Sequence, residues 1–398
     1  MSGPLTAVVA GGGIGGLAAA TALASDGIAV TVVERAARID DVGSGLLLYQ
    51  NGIAAADAIS TSLGRRIRAV GYVVRQDDVR LVTDPSGRVI AREPIGAVAE
   101  REGLPQVPIL RTALQDALMR EARAAGAHIR LGTAVVGYRQ APGQVSVRLS
   151  SGDTIDADLL VGADGLHSVI RASMLGDGPP RYQGYTSVRG RAIGCELYPQ
   201  AFVVNGRGTQ LFVAPANADT LYWTAKVTAG AGVWPAMGPT AALAALVDRI
   251  AQWRPAVVAM VRDTDPADIA VTDIHDRNPV RRWVRGRVAL LGDAAHPMVP
   301  ALGQGANTAL EDAVVLADCL RRYPDPDGAL RAYEAERVER AARVVLHSRR
   351  QGALDQGAGR LRALLRDAGM RWRGRKDAAT FDVVGWRPRE AATRPGPG

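Results

Sequence analysis

The sequence predicts an α/β chain, α+β overall: a Rossmann-like dinucleotide-binding domain with a parallel sheet and a β-meander, a second and mostly antiparallel sheet, and C-terminal helices. Three observations carry this. A strand, a glycine-rich turn, a small-residue helix and a second strand follow one another between residues 5 and 34. Two more short apolar runs, at 158–162 and 288–292, read as buried parallel strands. Between 181 and 276 the texture changes to short alternating stretches rich in Gly, Pro, Tyr and Trp. With 398 residues, 47% of them hydrophobic, the chain can bury a core large enough for two domains.

Taken in order, Leu5 to Ala10 is the first buried strand, and Leu17, Thr21 and Ala24 mark the helix that follows the glycines. Ala29 to Val33 gives the next strand and completes a βαβ unit. Thr112 to Ala125 sets Leu114, Leu118 and Ala122 at helical spacing and feeds a strand near His128 to Leu131. Val145, Val147 and Leu149 alternate with polar residues between turn-like segments at 141–144 and 151–153, a meander pattern. Asp158 to Gly162 leads into Ala163, Asp164 and Gly165, and Val288 to Gly292 leads into loop and helix through about Leu320. Residues 330–376 read as mostly helical, and those after Trp386, rich in Pro, Arg and Gly, as a loose tail. The resulting division is 1–180 with 277–325 for the nucleotide-binding domain, 181–276 for the substrate-binding sheet, 326–386 for the helical segment and 387–398 for the tail.

The formal charge is +8, and residues 331–376 hold thirteen basic side chains against five acidic ones, so the excess sits in one stretch and the rest is near neutral. No aromatics interleave with those charges as a stacking platform requires, which argues against nucleic-acid binding. Only Lys226 and Lys376 are lysines, against 46 arginines, so single arginines carry less information than usual. Cys195 and Cys319 stand far apart with no metal-like spacing, as expected in a reducing compartment. The apolar N-terminus lacks a charged leader and is broken by glycines, and no stretch approaches a membrane span, so a cytoplasmic location is expected.

Gly11, Gly13 and Gly16 satisfy GxGxxG directly after a strand and before a helix. Such glycines serve a tight turn, close approach to a diphosphate and close helix–strand packing, with the diphosphate at the helix N-terminus formed by Ile14 and Gly15. Alone the pattern is weak. Its context strengthens it, because Glu34, with Arg35 beside it, ends the next strand where a carboxylate grips ribose hydroxyls and favours an unphosphorylated adenosine ribose.

Two further segments, Gly162-Ala163-Asp164-Gly165-Leu166-His167-Ser168-Val169-Ile170-Arg171 and Gly292-Asp293-Ala294-Ala295-His296-Pro297, the latter continuing to Pro300, Gly303, Gly305 and Asn307, complete the pattern. At these positions the chain resembles the flavoprotein aromatic hydroxylases, the class A FAD-dependent monooxygenases built like para-hydroxybenzoate hydroxylase, and the resemblance spans about residues 5–340. It implies FAD as cofactor and NADH or NADPH as cosubstrate. Asp293 would bond the ribityl chain, and the helix starting at Gly305, Ala306 and Asn307 would aim its N-terminus at the flavin, where reduced flavin carries negative charge. Asp164 and Gly165 belong to the segment the family associates with both FAD and pyridine nucleotide, Arg111 matches an arginine near the flavin, and Gly43, Ser44 and Gly45 match a loop against which the flavin moves.

Within that resemblance, Tyr182 to Gly190 and Tyr222-Trp223 look like the subgroup of urate hydroxylase and zeaxanthin epoxidase, where this region roofs the substrate. Arg189 and Tyr222 are therefore the candidates for substrate contact and catalysis, with sheet packing as the competing account of each; His275 has a weaker claim. The implied reaction uses dioxygen to hydroxylate or epoxidise an electron-rich, aromatic small molecule through a flavin C4a-hydroperoxide. No second GxGxxG unit is present, which fits transient nicotinamide docking. A dehydrogenase or reductase, and a non-catalytic FAD-binding ligand sensor, are the alternatives. A flavin halogenase is disfavoured, since no two of the six tryptophans stand two apart. No metal-ligand pattern occurs, and neither a catalytic base, the substrate nor the oligomeric state is legible.

Overall fold

A computed structural model describes residues 4–38, 45–356 and 381–389. Its first layer is a six-stranded sheet in the order Val284–Arg285, Val288–Leu290, Leu159–Gly162, Thr6–Ala10, Ala29–Val33, His128–Arg130. Every pairing is parallel except the terminal hairpin, and the register sets Ala10 beside both Val33 and Gly162, and Gly162 beside Leu290. The carboxyl ends of four strands therefore align at one edge. That edge is where an open α/β sheet presents its ligands. Leu159–Gly162 is buried along its whole length, as expected for a strand covered on both faces.

Helix Ile14–Ser25 is apolar all round because it is enclosed by the sheet and by helices Arg111–Ala124 and Gly305–Arg322. Its alanines keep it thin enough to fit. On the opposite side the strands Val135–Ala141, Gln144–Leu149 and Thr154–Ala157 form the antiparallel meander, whose Val145, Val147 and Leu149 point into the shared core. The spacing of alternate residues anticipated this.

The second sheet has seven strands, ordered Ala270–Asp276, Arg181–Ile193, Thr220–Thr228, Thr209–Pro215, Ala201–Asn205, Arg80–Thr83 and Val89–Glu93. It is mostly antiparallel, yet it reaches beyond the 181–276 span read from the sequence. Arg80–Thr83 and Val89–Glu93 come from within the first 180 residues, and Arg80–Thr83 pairs in parallel with Ala201–Asn205. These strands are four or five residues long and punctuated by charge, so neither hydrophobic period could reveal them.

One face of this sheet carries Val188, Leu211, Val213, Trp223 and Ala225 against helices Gly238–Arg249 and Pro255–Arg262. Because side chains alternate, Ser187, Arg189, Tyr222 and Lys226 project from the other face, toward the first domain. Helix Pro326–Asp355, about 45 Å long, spans both units. Asp325 caps its first turn, Tyr333 donates to the Leu290 carbonyl at one end, and Asp355 pairs with Lys226 at the other. The helical reading of 357–380 and most of the tail fall outside the described residues, as do Gly43 and Ser44; a short helix at Phe381–Val384 follows.

Candidate active site

The glycine loop takes its shape from contacts that only glycine permits at two positions. Gly11 has φ +108°, and a Cβ there would lie 2.4 Å from the Ala163 carbonyl oxygen; a Cβ on Gly16 would lie 1.9 Å from that of Gly11. Gly13 differs, since a Cβ on it would meet nothing within 4 Å. The first helical bond runs from Leu17 N–H to the Gly13 carbonyl at 2.9 Å, so the amides of Ile14, Gly15 and Gly16 have no partner in their own helix and open onto that space. Gln115, which sequence reading passed over, fixes the loop by donating 2.9 Å to the Gly12 carbonyl.

Glu34 does more than end its strand. Its two carboxylate oxygens accept from Gly12 N–H at 2.6 Å and from Ala36 N–H at 2.8 Å, so it pins the loop while each oxygen keeps acceptor capacity for a hydroxyl. Arg35 is exposed beside it.

Asp164, expected to face the cofactor, turns inward as a helix cap. It accepts from the Ser168 hydroxyl at 2.5 Å and from the N–H groups of Val169 and Ile170 at 2.7 and 3.2 Å. Desolvation raises its pKa against those bonds. What this motif leaves open is the backbone of Gly165, at φ +80° with nothing within 4 Å of where a Cβ would stand. Arg171, another residue the sequence reading gave no role, is fully buried and binds Asp177 and the carbonyls of Ala294 and Ala295.

The segment Gly292 to Asn307 sits on a buried charge network. His296 Nε2 lies 2.5 Å from Asp312 Oδ2, Arg337 bonds Asp312 Oδ1 at 2.7 Å and Glu311 at 2.8 Å, and Arg340 holds Glu311 from the other side. Burial alone would raise the Asp312 carboxyl, but His296 and Arg337 outweigh it and lower it to about 2. The ionised carboxylate can only accept, so His296 Nε2 carries the proton. The spacing of Glu311 and Asp312 on one helix and Arg337 and Arg340 on the other carried this signal, which was not read.

Helix Gly305–Arg322 begins with its first intrahelical bond from Thr308 N–H to Gln304, leaving the amides of Gly305, Ala306 and Asn307 free of helical partners. The Asn307 side chain, read as a cofactor contact, is fully buried and spent elsewhere: it accepts from Tyr49 N–H at 2.9 Å and donates to the carbonyls of Leu47 and Gly303. Only its backbone amide remains available to a ligand. Gly303, at φ +63°, packs against the Tyr49 ring, and Pro300 is exposed at the loop's tip.

Asp293 stands 3.9 Å from where a Cβ on Gly305 would lie. Its side chain retains accessible surface, yet protein surrounds it, as on the wall of a deep cleft; desolvation therefore raises its pKa, against the charges of His296 and Arg111. Arg111 also faces Arg189. Burial, and then the like charge of Arg111, pushes the Arg189 guanidinium down to about 10. Arg189 Nη2 donates 2.7 Å to Thr272 Oγ1, while its Nε is buried without a partner. Tyr222, across the strand pair, is buried against Phe212 at a ring separation of 5.7 Å, and a Cβ on Gly45 would lie 2.2 Å from its ring. His275 lies apart, bonded to the Asp273 carbonyl and packed on Tyr182.

Two helix N-termini with free amides, an acidic strand end and an acidic cleft wall thus converge on the edge of one parallel sheet. The family model described as an FAD binding domain matches residues 5–348. This chain belongs to that FAD-binding family. It is 38% identical over 354 residues to the aurachin C monooxygenase/isomerase of Stigmatella aurantiaca, covering 88% of this chain and 90% of that protein. It is 33% identical over 366 residues to an FAD-dependent urate hydroxylase of Klebsiella pneumoniae, covering 89% and 91%. Among solved structures, Klebsiella pneumoniae HpxO complexed with FAD and uric acid superposes with a TM-score of 0.87 at 31% identity, over 96% of each chain. The family member described here is an FAD-dependent monooxygenase of the aromatic-hydroxylase type. Its residues fit the cofactor: the unfilled space at Gly13 and Gly165 and the unpaired helix amides are what a diphosphate-bearing ligand requires. No group of His, Cys, Asp and Glu among the described residues could hold a metal ion, and no helix among them is long and apolar enough to cross a membrane.

Proposed function

We propose that this monooxygenase, acting in the cytoplasm, hydroxylates an electron-rich and anionic aromatic small molecule held between the flavin site and the face of the second sheet. The observation that carries this is the pair Arg111 and Arg189, two guanidinium groups that repel one another, the second with a buried Nε that no protein group satisfies. An anionic ring substituent placed there would supply the missing acceptor and offset the repulsion. Bound FAD supplies hydride acceptance from NADH or NADPH and the activation of dioxygen.

The chain's own groups do the rest. The amides of Ile14, Gly15 and Gly16 hold the diphosphate, and Glu34, with Arg35 alongside, holds the adenosine ribose. Asp293 accepts from the ribityl hydroxyls, and the amides of Gly305, Ala306 and Asn307 place partial positive charge where reduced flavin is negative. Pro300, Gly303 and the backbone at Gly165 shape the walls of that cleft. Arg189 orients the substrate, and Tyr222 closes the far side and excludes water; burial, and then Tyr49, push its hydroxyl well above the ordinary range, so it stays protonated.

The test is a screen of FAD-reconstituted protein against aromatic acids, phenols and purines, reading substrate-stimulated oxidation of NADH or NADPH. The expected result is stimulation with label from labelled dioxygen in the product. Product without label would show a dehydrogenase instead.

A further inference from the structure

Beside Tyr222 the second sheet leaves a cavity of about 190 Å³. Leu47, Val74, Pro108, Ala201, Phe212 and Ala214 line its apolar part. It exists because two small residues stand where the sheet face would otherwise fill: Ala201, and Ala214, which lies directly across from Tyr222 in the strand register. Exposed Asp77, Val79 and Gln200 at the cavity's rim leave it open on one side, and ~150 Å³ of apolar space suffices for a benzene ring.

Continuity with the proposed substrate face comes from shared walls. Ala201, Ala214, Phe212 and Ile95 belong both to the lining and to the cluster packed on Tyr222. The strand Gly45–Leu48 links the same places, since Gly45 abuts the Tyr222 ring and Leu47 faces the cavity. Its partner strand, Val107–Leu110, runs straight into Arg111.

The polar groups of the lining state what an occupant must offer. Arg80 is held by Glu93 at 2.5 Å and lies over the Phe212 ring, and the Tyr72 hydroxyl donates 3.0 Å to Asp78. Arg80 is thus neutralised, Asp78 also accepts from Arg75 N–H, and Asp77 stands exposed at the rim, so no unpaired cation faces the apolar part and nothing there asks for an anionic guest. Gln106 is the exception. It is 5% exposed, and its side-chain carbonyl oxygen is buried with no partner. Orphaned buried acceptors are uncommon, and this one calls for a single N–H or O–H donor.

We infer that the cavity is a substrate subsite for an uncharged apolar arm, the size of a second ring or a short branched chain, carrying one hydrogen-bond donor aimed at Gln106. The inference rests on the reading that an aromatic ring occupies the Arg189 face. It defines the substrate as an anionic aromatic ring bearing a sizeable neutral substituent.

Holoenzyme reconstituted with FAD tests this with benzoate, para-propylbenzoate and para-(hydroxypropyl)benzoate, each of which carries the anion that the Arg189 face takes, titrated by perturbation of the flavin absorbance. The propyl compound binds at least about tenfold tighter than benzoate, as three buried carbons require. Val74→Phe and Ala214→Phe, from different walls, each collapse that ratio toward one. Gln106→Leu penalises the hydroxypropyl compound about tenfold relative to the propyl one. A wild-type ratio near one, a ratio that survives both filling variants, or no flavin perturbation by any of the three overturns the subsite. So does a cavity that serves a detached effector, seen as benzyl alcohol raising the Tm of wild type and not of Ala214→Phe while the propylbenzoate-to-benzoate ratio stays at one. Binding ratios as expected without dioxygen uptake would sink the oxygenase reading and leave the subsite standing; oxygenation with equal affinities would do the reverse.

Discussion

The buried guanidinium of Arg171 donates to the carbonyl oxygen of Ala295 at 2.8 Å, and so joins the segment after strand Leu159–Gly162 to the segment that carries Asp293. The same side chain reaches the Ala294 carbonyl and the Asp177 carboxylate, so the Ala294–Ala295 backbone and the loop just after helix Val169–Leu175 meet on one planar fork. Arg171→Met should destabilise the protein by about 3 kcal/mol, because it leaves two buried carbonyls unpaired and Asp177 with Arg277 alone. Arg171→Lys should recover only part of this, since an ammonium cannot reproduce the fork. Thermal melts of the FAD-free protein decide it; an unchanged Tm for Arg171→Met would show that the joint carries no stability.

Gly13 and Gly16 separate folding from cofactor binding. A Cβ on Gly16 collides with backbone 1.9 Å away, so Gly16→Ala should lower the Tm of the apoprotein. A Cβ on Gly13 meets open space, and the backbone there is extended at φ −74° and ψ −176°, which alanine adopts freely. Gly13→Ala should therefore leave the apoprotein melt within about 0.5 kcal/mol of wild type, yet weaken FAD binding at least tenfold because the new methyl occupies the place of the diphosphate. FAD titration of both variants checks the contrast. Equal FAD affinity in Gly13→Ala and wild type would remove the diphosphate from that helix.

These cases also show how much the sequence told and why the rest was hidden. GxGxxG, Glu34 and the two later motifs were legible because backbone geometry demands glycine and because strand ends are readable from short apolar runs. The use of each polar side chain was not. Asp164 and Asn307 were both read as cofactor contacts, but a carboxylate at a helix start can cap that helix as readily as hold a ligand, and only the fold shows that Val169, Ile170, Tyr49 and Leu47 claim them. Strand 80–83 escaped because its partner, Ala201–Asn205, lies more than a hundred residues away and no local pattern encodes a distant pairing, while strand 89–93, which pairs only with 80–83, is too short and too charged to show a period. Arg171 and Arg337 were lost among many arginines whose burial cannot be read from composition.

Asn307→Ala tests the revised role. Removing the side chain leaves Tyr49 N–H and the Leu47 carbonyl buried and unsatisfied, with an expected loss of about 1–3 kcal/mol per orphaned group. FAD affinity should fall only as far as the loosened helix start allows. A variant with wild-type stability but lost FAD binding would return Asn307 to the cofactor.

Asp312 fixes a pH dependence. Its carboxyl is lowered in the folded protein to about 2 from 3.8, so it stabilises the fold above the unfolded value and that stability is lost as pH falls from about 4 toward 2. The contribution is on the order of 2 kcal/mol. Asp312→Asn should be less stable than wild type at neutral pH, and the gap between them should narrow through that acid window, read by denaturant midpoints at each pH. A gap that stays constant down to pH 2 would mean that Asp312 does not titrate with the fold.

Arg189 bears on the substrate itself. Its guanidinium is pushed down to about 10 by burial and by Arg111, so it remains cationic at neutral pH but at a cost that an arriving anion offsets. The sign follows: because the folded-state value is lowered, the charge is present below about 10 and is lost as pH rises through it, while a bound anion shifts that point upward. An aromatic carboxylate should therefore bind more tightly than the matching amide by about tenfold or more, with the ratio flat between pH 6 and 9. Arg189→Gln should erase the ratio and raise KM more than it lowers kcat, whereas Arg189→Lys should keep part of it, because one charge remains while the Nε position is lost. Flavin absorbance titrations with the acid and amide pair measure this directly. Equal affinities in wild type would show that the neutral ring, and not its charge, is what the Arg189 face selects.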